Sequence, residues 1–213
     1  MTTDRRPADD FEVTAERPDG PVGVTGTDHV ILVGSNAEDT IAFHRDLLGM
    51  PLVLRQPNLD DPESTHLFFD TGDGRILTFF VRDDRPSNPD PQRPPVGAVH
   101  HLSFGVAPER FADVREALRE EGRGFNEFDR GVFHSLYTRD HNGLVIELAT
   151  DKYAIPDDRR GEVLATAQRL READGAAYAE EEHLEAALDE LGIDADRHEL
   201  PDAPTGTGTV DSE

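Results

Sequence analysis

The strongest constraint on the fold of this chain is an internal repeat. Two stretches of about 55 residues show the same succession of patterns, namely an apolar strand, an amphipathic helix and three further strands. The first strand is DHVILV at residues 28–33 in one repeat and HHLSFGV at residues 100–106 in the other, so that His29 and His101 occupy the same position. We therefore predict two equivalent β-α-β-β-β modules in an α+β chain.

The other elements of each module follow from local signals. In the first repeat, Asn36 or Asp39 can cap a helix that Gly49 terminates. Strands are predicted after it at residues 51–56, 65–70 and 75–82. In the second repeat, the corresponding predictions are a helix at residues 108–121 and strands at residues 99–106, 125–129, 132–138 and 144–150.

Beyond the second repeat the pattern changes, because residues 160–174 and 178–191 have helical composition and spacing. The whole chain is thus predicted to contain six segments. They are a flexible arm (1–24), the first module (25–82), a proline-rich linker (83–97), the second module (98–151), a helical extension (152–192) and a disordered acidic tail (193–213).

Composition excludes several kinds of site and partner. The chain has no cysteine, so disulfides are excluded and any metal centre must use histidine and carboxylate ligands. The formal net charge of −24 argues against nucleic acid and anionic membranes as partners. Because no apolar run could span a bilayer or serve as a signal segment, a cytoplasmic protein is expected. Lys152 is the only lysine, against twenty arginines, which is typical of halophilic proteins adapted to high salt.

The candidate metal ligands are His29, His101 and Glu147, each of which lies in a short apolar run. Two imidazoles and one carboxylate form the facial triad of non-haem Fe(II) oxygenases, which leaves open positions on the metal. A single histidine in a strand is more often structural, and a glutamate in a half-exposed strand can simply face solvent. The equivalent positions of the two histidines favour the ligand interpretation. His44 and His66 are expected to be surface residues.

Three segments resemble the vicinal oxygen chelate superfamily: DHV at the first strand, AFHRDLLGM at the end of the first helix, and NGLVIEL in the last strand. That superfamily includes glyoxalase I, bleomycin- and fosfomycin-resistance proteins and type I extradiol dioxygenases. The resemblance covers residues 25–151. It implies a cupped mixed sheet formed by the two modules around one metal, with the C-terminal helices outside it. The segment HHLSFGV…FDRGVFHSLYTRDHNGLVIELATD is most similar to dioxygenases that cleave hydroquinones and catechols.

The resemblance also implies roles for three further residues. Tyr137 matches a tyrosine that hydrogen-bonds the metal-bound substrate oxygen in the dioxygenases, although fosfomycin-resistance enzymes carry a tyrosine at similar spacing. His100 matches a histidine that acts as an acid or base or binds substrate, but strand alternation directs it away from His101 unless the strand begins only there. Arg130 matches an arginine near the substrate, and an ion pair with Asp129 is its structural alternative.

A missing residue separates the members of the superfamily. The residue of the first module that matches Glu147 is Thr78, whereas glyoxalase I takes a carboxylate from both modules and binds Ni or Zn. Three protein ligands leave room for a chelating substrate and O₂. Catechol-cleaving enzymes carry a further histidine at the position of Phe128, and its absence favours a hydroquinone-type reaction.

The resemblance, together with the three-ligand site, thus implies an Fe(II)- or Mn(II)-dependent extradiol dioxygenase that cleaves a small catechol- or hydroquinone-type substrate with O₂. A homodimer or larger homo-oligomer is expected, with modules that pair within a chain or are exchanged between chains. The first alternative is a metal-dependent lyase or thiol transferase of the glyoxalase or fosfomycin-resistance type. The second is a metal-free drug-binding module.

Overall fold

The structure, a computed structural model, describes residues 12–91 and 93–203. The first module forms a four-stranded mixed sheet in the order β1-β4-β3-β2, in which β1 is parallel to β4 and the other pairs are antiparallel. Its strands are β1 (His29–Val33), β2 (Leu52–Pro57), β3 (Thr65–Asp70) and β4 (Ile76–Val81). Its helix α1 (Ala37–Ile41) continues into a π-helical segment (Ala42–Leu47).

The second module repeats this arrangement in the order β5-β8-β7-β6, with β5 parallel to β8. Its strands are β5 (His101–Gly105), β6 (Asn126–Asp129), β7 (Phe133–Arg139) and β8 (Val145–Asp151). A 3-10 turn (Pro108–Arg110) leads into helix α2 (Phe111–Glu120). The predicted α+β class and the two β-α-β-β-β modules are confirmed.

Local sequence signals account for the boundaries of the first helix. The side-chain carbonyl of Asn36 accepts a hydrogen bond of 2.8 Å from the backbone N–H of Asp39, as expected of an N-cap residue. The helical segment ends before Gly49, whose φ of 76° lies in the left-handed region that glycine adopts without strain. The first module therefore turns into β2 at the position that the sequence predicts.

Each sheet buries one face and leaves the other face for a possible site. The buried faces carry the large apolar side chains of alternate strand positions, which are Leu67, Phe69, Leu77, Phe79 and Val81 in the first module and Leu136, Ile146 and Leu148 in the second. Leu48, Leu102 and Phe104 pack against both groups, so the two modules share a continuous core. His29, His101 and Glu147 occupy the opposite strand positions and therefore lie on the two remaining faces.

The C-terminal extension folds as two helices, α3 (Arg160–Asp174) and α4 (Glu181–Leu191), with an apolar core of their own against which Val132 of the second module packs. The predicted bounds of α3 match those observed. After α4 the chain returns to the sheet, because His198 donates a backbone hydrogen bond of 2.8 Å to Lys152. This part of the expected tail is therefore paired with the second module.

Residues 12–24 of the expected arm are exposed and contain no helix or strand. The rest of that arm (1–11) and residues 204–213 of the expected tail lie outside the described residues. Within the described ranges, the helices are too short and too polar for any of them to cross a membrane.

Candidate functional site

The strand register brings the predicted residues of the second module to one place. Glu147 on β8 is paired with Ser103 on β5 and with Tyr137 on β7. Because side chains alternate along a strand, His101, two residues before Ser103, lies on the same face as Glu147. The open face of the second sheet therefore carries a histidine, a carboxylate and a tyrosine side by side.

The geometry of these groups suits a metal ion. The Nε2 atom of His101 lies 3.1 Å from Oε2 of Glu147, and the hydroxyl of Tyr137 donates a hydrogen bond of 2.6 Å to Oε1 of Glu147. Two ligands that bind one ion at about 2.1 Å in neighbouring positions are themselves about 3 Å apart. The His101 and Glu147 donor atoms thus fit the edge of a metal coordination shell.

The environment of Glu147 keeps its carboxyl group ionised. Burial by itself raises the pKa of Glu147, but the nearby hydroxyl groups of Ser135 and Tyr137 and the charge of His101 outweigh burial and lower it below its usual value. Burial and the neighbouring Glu147 carboxylate raise the pKa of Tyr137. At neutral pH the pair therefore consists of a carboxylate acceptor and a protonated phenol donor.

His100 lies just outside the strand and contacts the ring of His101. Strand β5 begins at His101, so alternation does not direct His100 to the opposite face. The two Nδ1 atoms are 2.8 Å apart, which requires one of them to carry the proton. When His101 donates, its Nε2 lone pair faces Glu147, and metal-binding histidines commonly donate their second ring N–H in this way.

His29 has the same local arrangement in the first module. It is paired with Ile76 as His101 is paired with Val145, and its Nδ1 atom lies 2.5 Å from Oδ1 of Asp28. Asp28 was not singled out from the sequence, although it precedes His29 as His100 precedes His101. In both modules the residue before the candidate ligand therefore engages Nδ1 and leaves Nε2 available.

The three predicted ligands do not meet within one chain. In the described part of the chain, no group of three or more His, Cys, Asp or Glu side chains is placed to hold a metal ion. His101 and Glu147 are together, whereas His29 lies on the other sheet, within electrostatic reach of His66. His29 and the His101–Glu147 pair thus lie on different sheets, whose cores are joined through Leu48, Leu102 and Phe104.

Arg130 lies beside Tyr137. Its guanidinium carbon is 4.6 Å from the centre of the Phe128 ring and 5.0 Å from that of Tyr137. Asp129, the neighbour of Arg130, binds the ammonium group of Lys152 at 2.8 Å. This ion pair connects the turn that carries Arg130 to the C-terminal extension.

The register makes Thr78 the counterpart of Glu147. Thr78 is paired with Ile31 and Phe68, at the positions that Ser103 and Tyr137 occupy around Glu147. The face of the first sheet that carries His29 therefore has a threonine, and no carboxylate, at the position of Glu147.

The predicted surface location of His44 is wrong. This residue is fully buried between the modules, where its ring lies 4.5 Å from that of Phe79 and 6.1 Å from that of His141. The π-helical continuation of α1 shifts the side-chain positions from those of a regular α-helix, and no signal in the sequence predicts this shift.

Known proteins share the fold and part of the sequence. The chain is 30% identical to "Putative ring-cleaving dioxygenase MhqA" of Bacillus subtilis over 120 residues. The aligned region covers 54% of this chain and 36% of that protein. The match thus spans about a third of that relative. A solved structure described as a dioxygenase from Bacillus subtilis superposes with a TM-score of 0.50 at 23% identity, over 61% of this chain and 41% of the other.

A glyoxalase/dioxygenase from Nostoc punctiforme superposes with a TM-score of 0.52 at 20% identity, over 65% of this chain and 99% of the other. At these identities the two superpositions concern the fold alone. The sequence profile of the Glyoxalase/Bleomycin resistance protein/Dioxygenase superfamily matches residues 26–148, more than half of the chain. The chain therefore belongs to this superfamily.

Proposed function

We propose that this protein is an Fe(II)- or Mn(II)-dependent dioxygenase that opens a catechol- or hydroquinone-type ring with O₂. The observation that carries the proposal is the arrangement of His101, Glu147 and Tyr137, which places two metal ligands and a protonated phenol on one open face. The name of the Bacillus subtilis relative supports ring cleavage as the reaction. Thr78 stands in the first module at the position that corresponds to Glu147, and this supports a centre with three protein ligands rather than four.

We further propose that the third ligand comes from a second copy of the chain. The His29 face of the first sheet carries exposed apolar side chains, since Ile31 is 41%, Val33 76% and Leu54 44% exposed. Packing this face against the His101 face of another copy would remove these side chains from water, which is favourable. His29 of the partner subunit would then complete the ligand set of each site in a homodimer.

The residues around the site have separable tasks in this proposal. A bound ion would supply Lewis acidity toward the substrate hydroxyl groups and a path for electrons to O₂. Tyr137 holds its proton at Oη and can donate it to a substrate oxygen. Arg130 presents a positive charge next to that phenol and can stabilise an anionic substrate oxygen. When His101 donates its Nδ1 proton to His100, His100 carries its own proton at Nε2 and can donate it to a substrate oxygen.

Metal content and oxygen consumption test the proposal together. The protein would be purified anaerobically, its bound metal measured, and O₂ uptake followed with panels of catechols and hydroquinones. Bound Fe or Mn with phenol-dependent O₂ uptake is the expected result. Bound Ni or Zn with thiol-dependent turnover would instead support the lyase or transferase alternative, and tight ligand binding without metal would support a binding module.

Two matched variants test the assignment of the ligands. Glu147→Gln should lose the metal, because a neutral amide is a much weaker ligand than a carboxylate. Glu116→Gln is the control, since Glu116 is exposed on α2 and forms an exposed ion pair of 3.5 Å with Arg119. His101→Ala should also abolish metal binding, and stoichiometric metal in this variant would refute the assigned site.

A further inference from the structure

A cavity of about 500 Å³ lies at the end of the second sheet, next to the proposed site. Its floor is formed by Ser103 and Gly105 of β5 and by Ala149 and Asp151 of β8. These residues occupy the same face as Glu147, and Ser103 is directly paired with it. The cavity therefore continues the surface on which His101 and Glu147 lie, and its volume is within the range of small-molecule sites.

The floor of this cavity carries small side chains at positions where the first module carries large ones. Gly105 is paired with Ala149, whereas the equivalent pair in the first sheet is Val33 and Phe80. A Cβ atom added to Gly105 would meet no other atom within 4 Å, so packing does not require glycine here. The second module is thus open at a pair of positions where the first module carries Val33 and Phe80.

The far wall of the cavity comes from the C-terminal extension. Ala154, Ile155, Arg160 and His198 line it, and all of them follow the part of the chain that matches the superfamily. The extension therefore adds a surface to this cavity that the two modules alone do not have.

The polar groups of that wall include charges of both signs. An amino group of the Arg160 guanidinium donates a hydrogen bond of 2.8 Å to Asp151, and Asp157 and His198 complete the set. Because each basic group has an acidic neighbour, a substituent with a full charge would meet repulsion as well as attraction. A neutral group that both donates and accepts hydrogen bonds suits these partners better.

We propose that this cavity binds a side chain on the aromatic ring of the substrate, and that the C-terminal extension selects a substituent ending in a hydroxyl or amide group. The inference rests on the proposed function for the position of the ring, beside His101 and Glu147. In this proposal, the residues that determine which substituted phenols bind are Gly105, Ala149 and the Arg160–Asp151 pair.

Binding of matched ligands tests this assignment. Catechol and its propyl, hydroxypropyl and carboxyethyl derivatives would be titrated by calorimetry into the full-length Mn(II)-loaded protein under nitrogen, so that no turnover is needed. The hydroxypropyl compound is expected to bind about tenfold more tightly than catechol, since it buries additional methylene groups and makes hydrogen bonds. Tightest binding of the carboxyethyl or propyl compound, or equal binding of all four, would overturn the assignment.

Two glycine variants locate the binding surface. Gly105→Val should reduce the hydroxypropyl-to-catechol affinity ratio to about one, because the added methyl groups fill the cavity. Gly124→Val is the matched control: Gly124 also has no atom within 4 Å of an added Cβ, and it lines a separate cavity of about 490 Å³ next to Tyr137. The control should keep the wild-type ratio.

An unchanged ratio in Gly105→Val, or a lost ratio in Gly124→Val, would refute the proposal. If Gly105→Val does not fold, as judged by circular dichroism, Ala149→Val fills the same cavity and must give the same loss of ratio. The O₂-uptake assay separates this proposal from the proposed function. Selective binding without O₂ uptake would support the side-chain cavity and contradict ring cleavage, whereas O₂ uptake without selective binding would do the reverse.

Discussion

The carboxylate of Asp28 lies 2.5 Å from Nδ1 of His29, and His100 makes the corresponding contact of 2.8 Å with His101. In each module the residue before the candidate ligand thus fixes the ring through the nitrogen that a metal would not use. This shared arrangement supports the same role for His29 and His101, that of a metal ligand through Nε2, although one chain does not bring them together.

Mixing two inactive variants tests whether a site is built from two chains. His29→Ala and Glu147→Gln each damage the site, but a mixed dimer with exchanged modules contains one intact site and one doubly damaged site. Random mixing should therefore restore about a quarter of the wild-type metal sites, measured by elemental analysis after co-refolding. Each variant refolded alone is the control. No recovery in the mixture would contradict the shared site.

Loss of the Tyr137 hydroxyl should reduce turnover and leave metal binding unchanged. Tyr137→Phe removes the donor that lies 2.6 Å from Glu147, so we expect kcat of O₂ uptake to fall about 10²-fold, as is typical when one proton donor is removed. Tyr178→Phe is the matched control, because Tyr178 is 65% exposed. Full activity of Tyr137→Phe, or loss of its metal, would show that the tyrosine has another role.

Acid should destabilise the fold through His44. Burial lowers the pKa of His44 to about 4, and its Nε2 atom has no hydrogen-bond partner among the described residues. A histidine with a depressed folded pKa stabilises the fold while neutral, so its contribution is present above the unfolded pKa and is lost as the pH falls toward about 4. Between about pH 7 and pH 5 the loss due to His44 should be about 2 kcal/mol.

Urea unfolding of wild type and His44→Phe at both pH values measures this contribution. Phenylalanine is close in size and does not titrate, so the variant should lose less stability on acidification. His141, whose pKa burial also lowers, contacts Thr40, lies near Asp39, Asp140 and Arg123, and is present in both proteins. Parallel losses in the two proteins would contradict the prediction.

Removal of the single lysine should loosen the C-terminal extension. Lys152 is 5% exposed and binds Asp129 and Glu181, which joins the end of β8 to α4. Lys152→Met leaves these two carboxylates without their shared partner and should cost about 3 kcal/mol of unfolding free energy. Hydrogen exchange should show faster exchange in α4.

An exposed ion pair provides the comparison. Arg169 and Glu190 join α3 to α4 at the surface, with about half of each side chain exposed. Arg169→Gln should therefore cost less than about 1 kcal/mol. Equal losses in the two variants would mean that burial of Lys152 adds nothing to its ion pairs.

The strands and most helices could be predicted because their signals are local. The bounds of β3 and α3 agree with the sequence prediction, since alternation and helical spacing act within a few residues. The placement of His101, Tyr137 and Glu147 on one face also followed from alternation once the strand order was known. The cavity beside Ser103 could not be predicted, because its walls come from segments far apart in the sequence.

The sequence by itself determined the two modules, the candidate ligands and the presence of Thr78, instead of a second acidic residue, at the position that corresponds to Glu147. All three depend on residue identity and spacing, which the repeat makes comparable. Only the tertiary structure decided that His101 and Glu147 meet while His29 lies on the other sheet. The reason is that the modules are joined by side chains such as Leu48, Leu102 and Phe104, which contact both cores, and this packing between distant segments is not specified by either repeat alone.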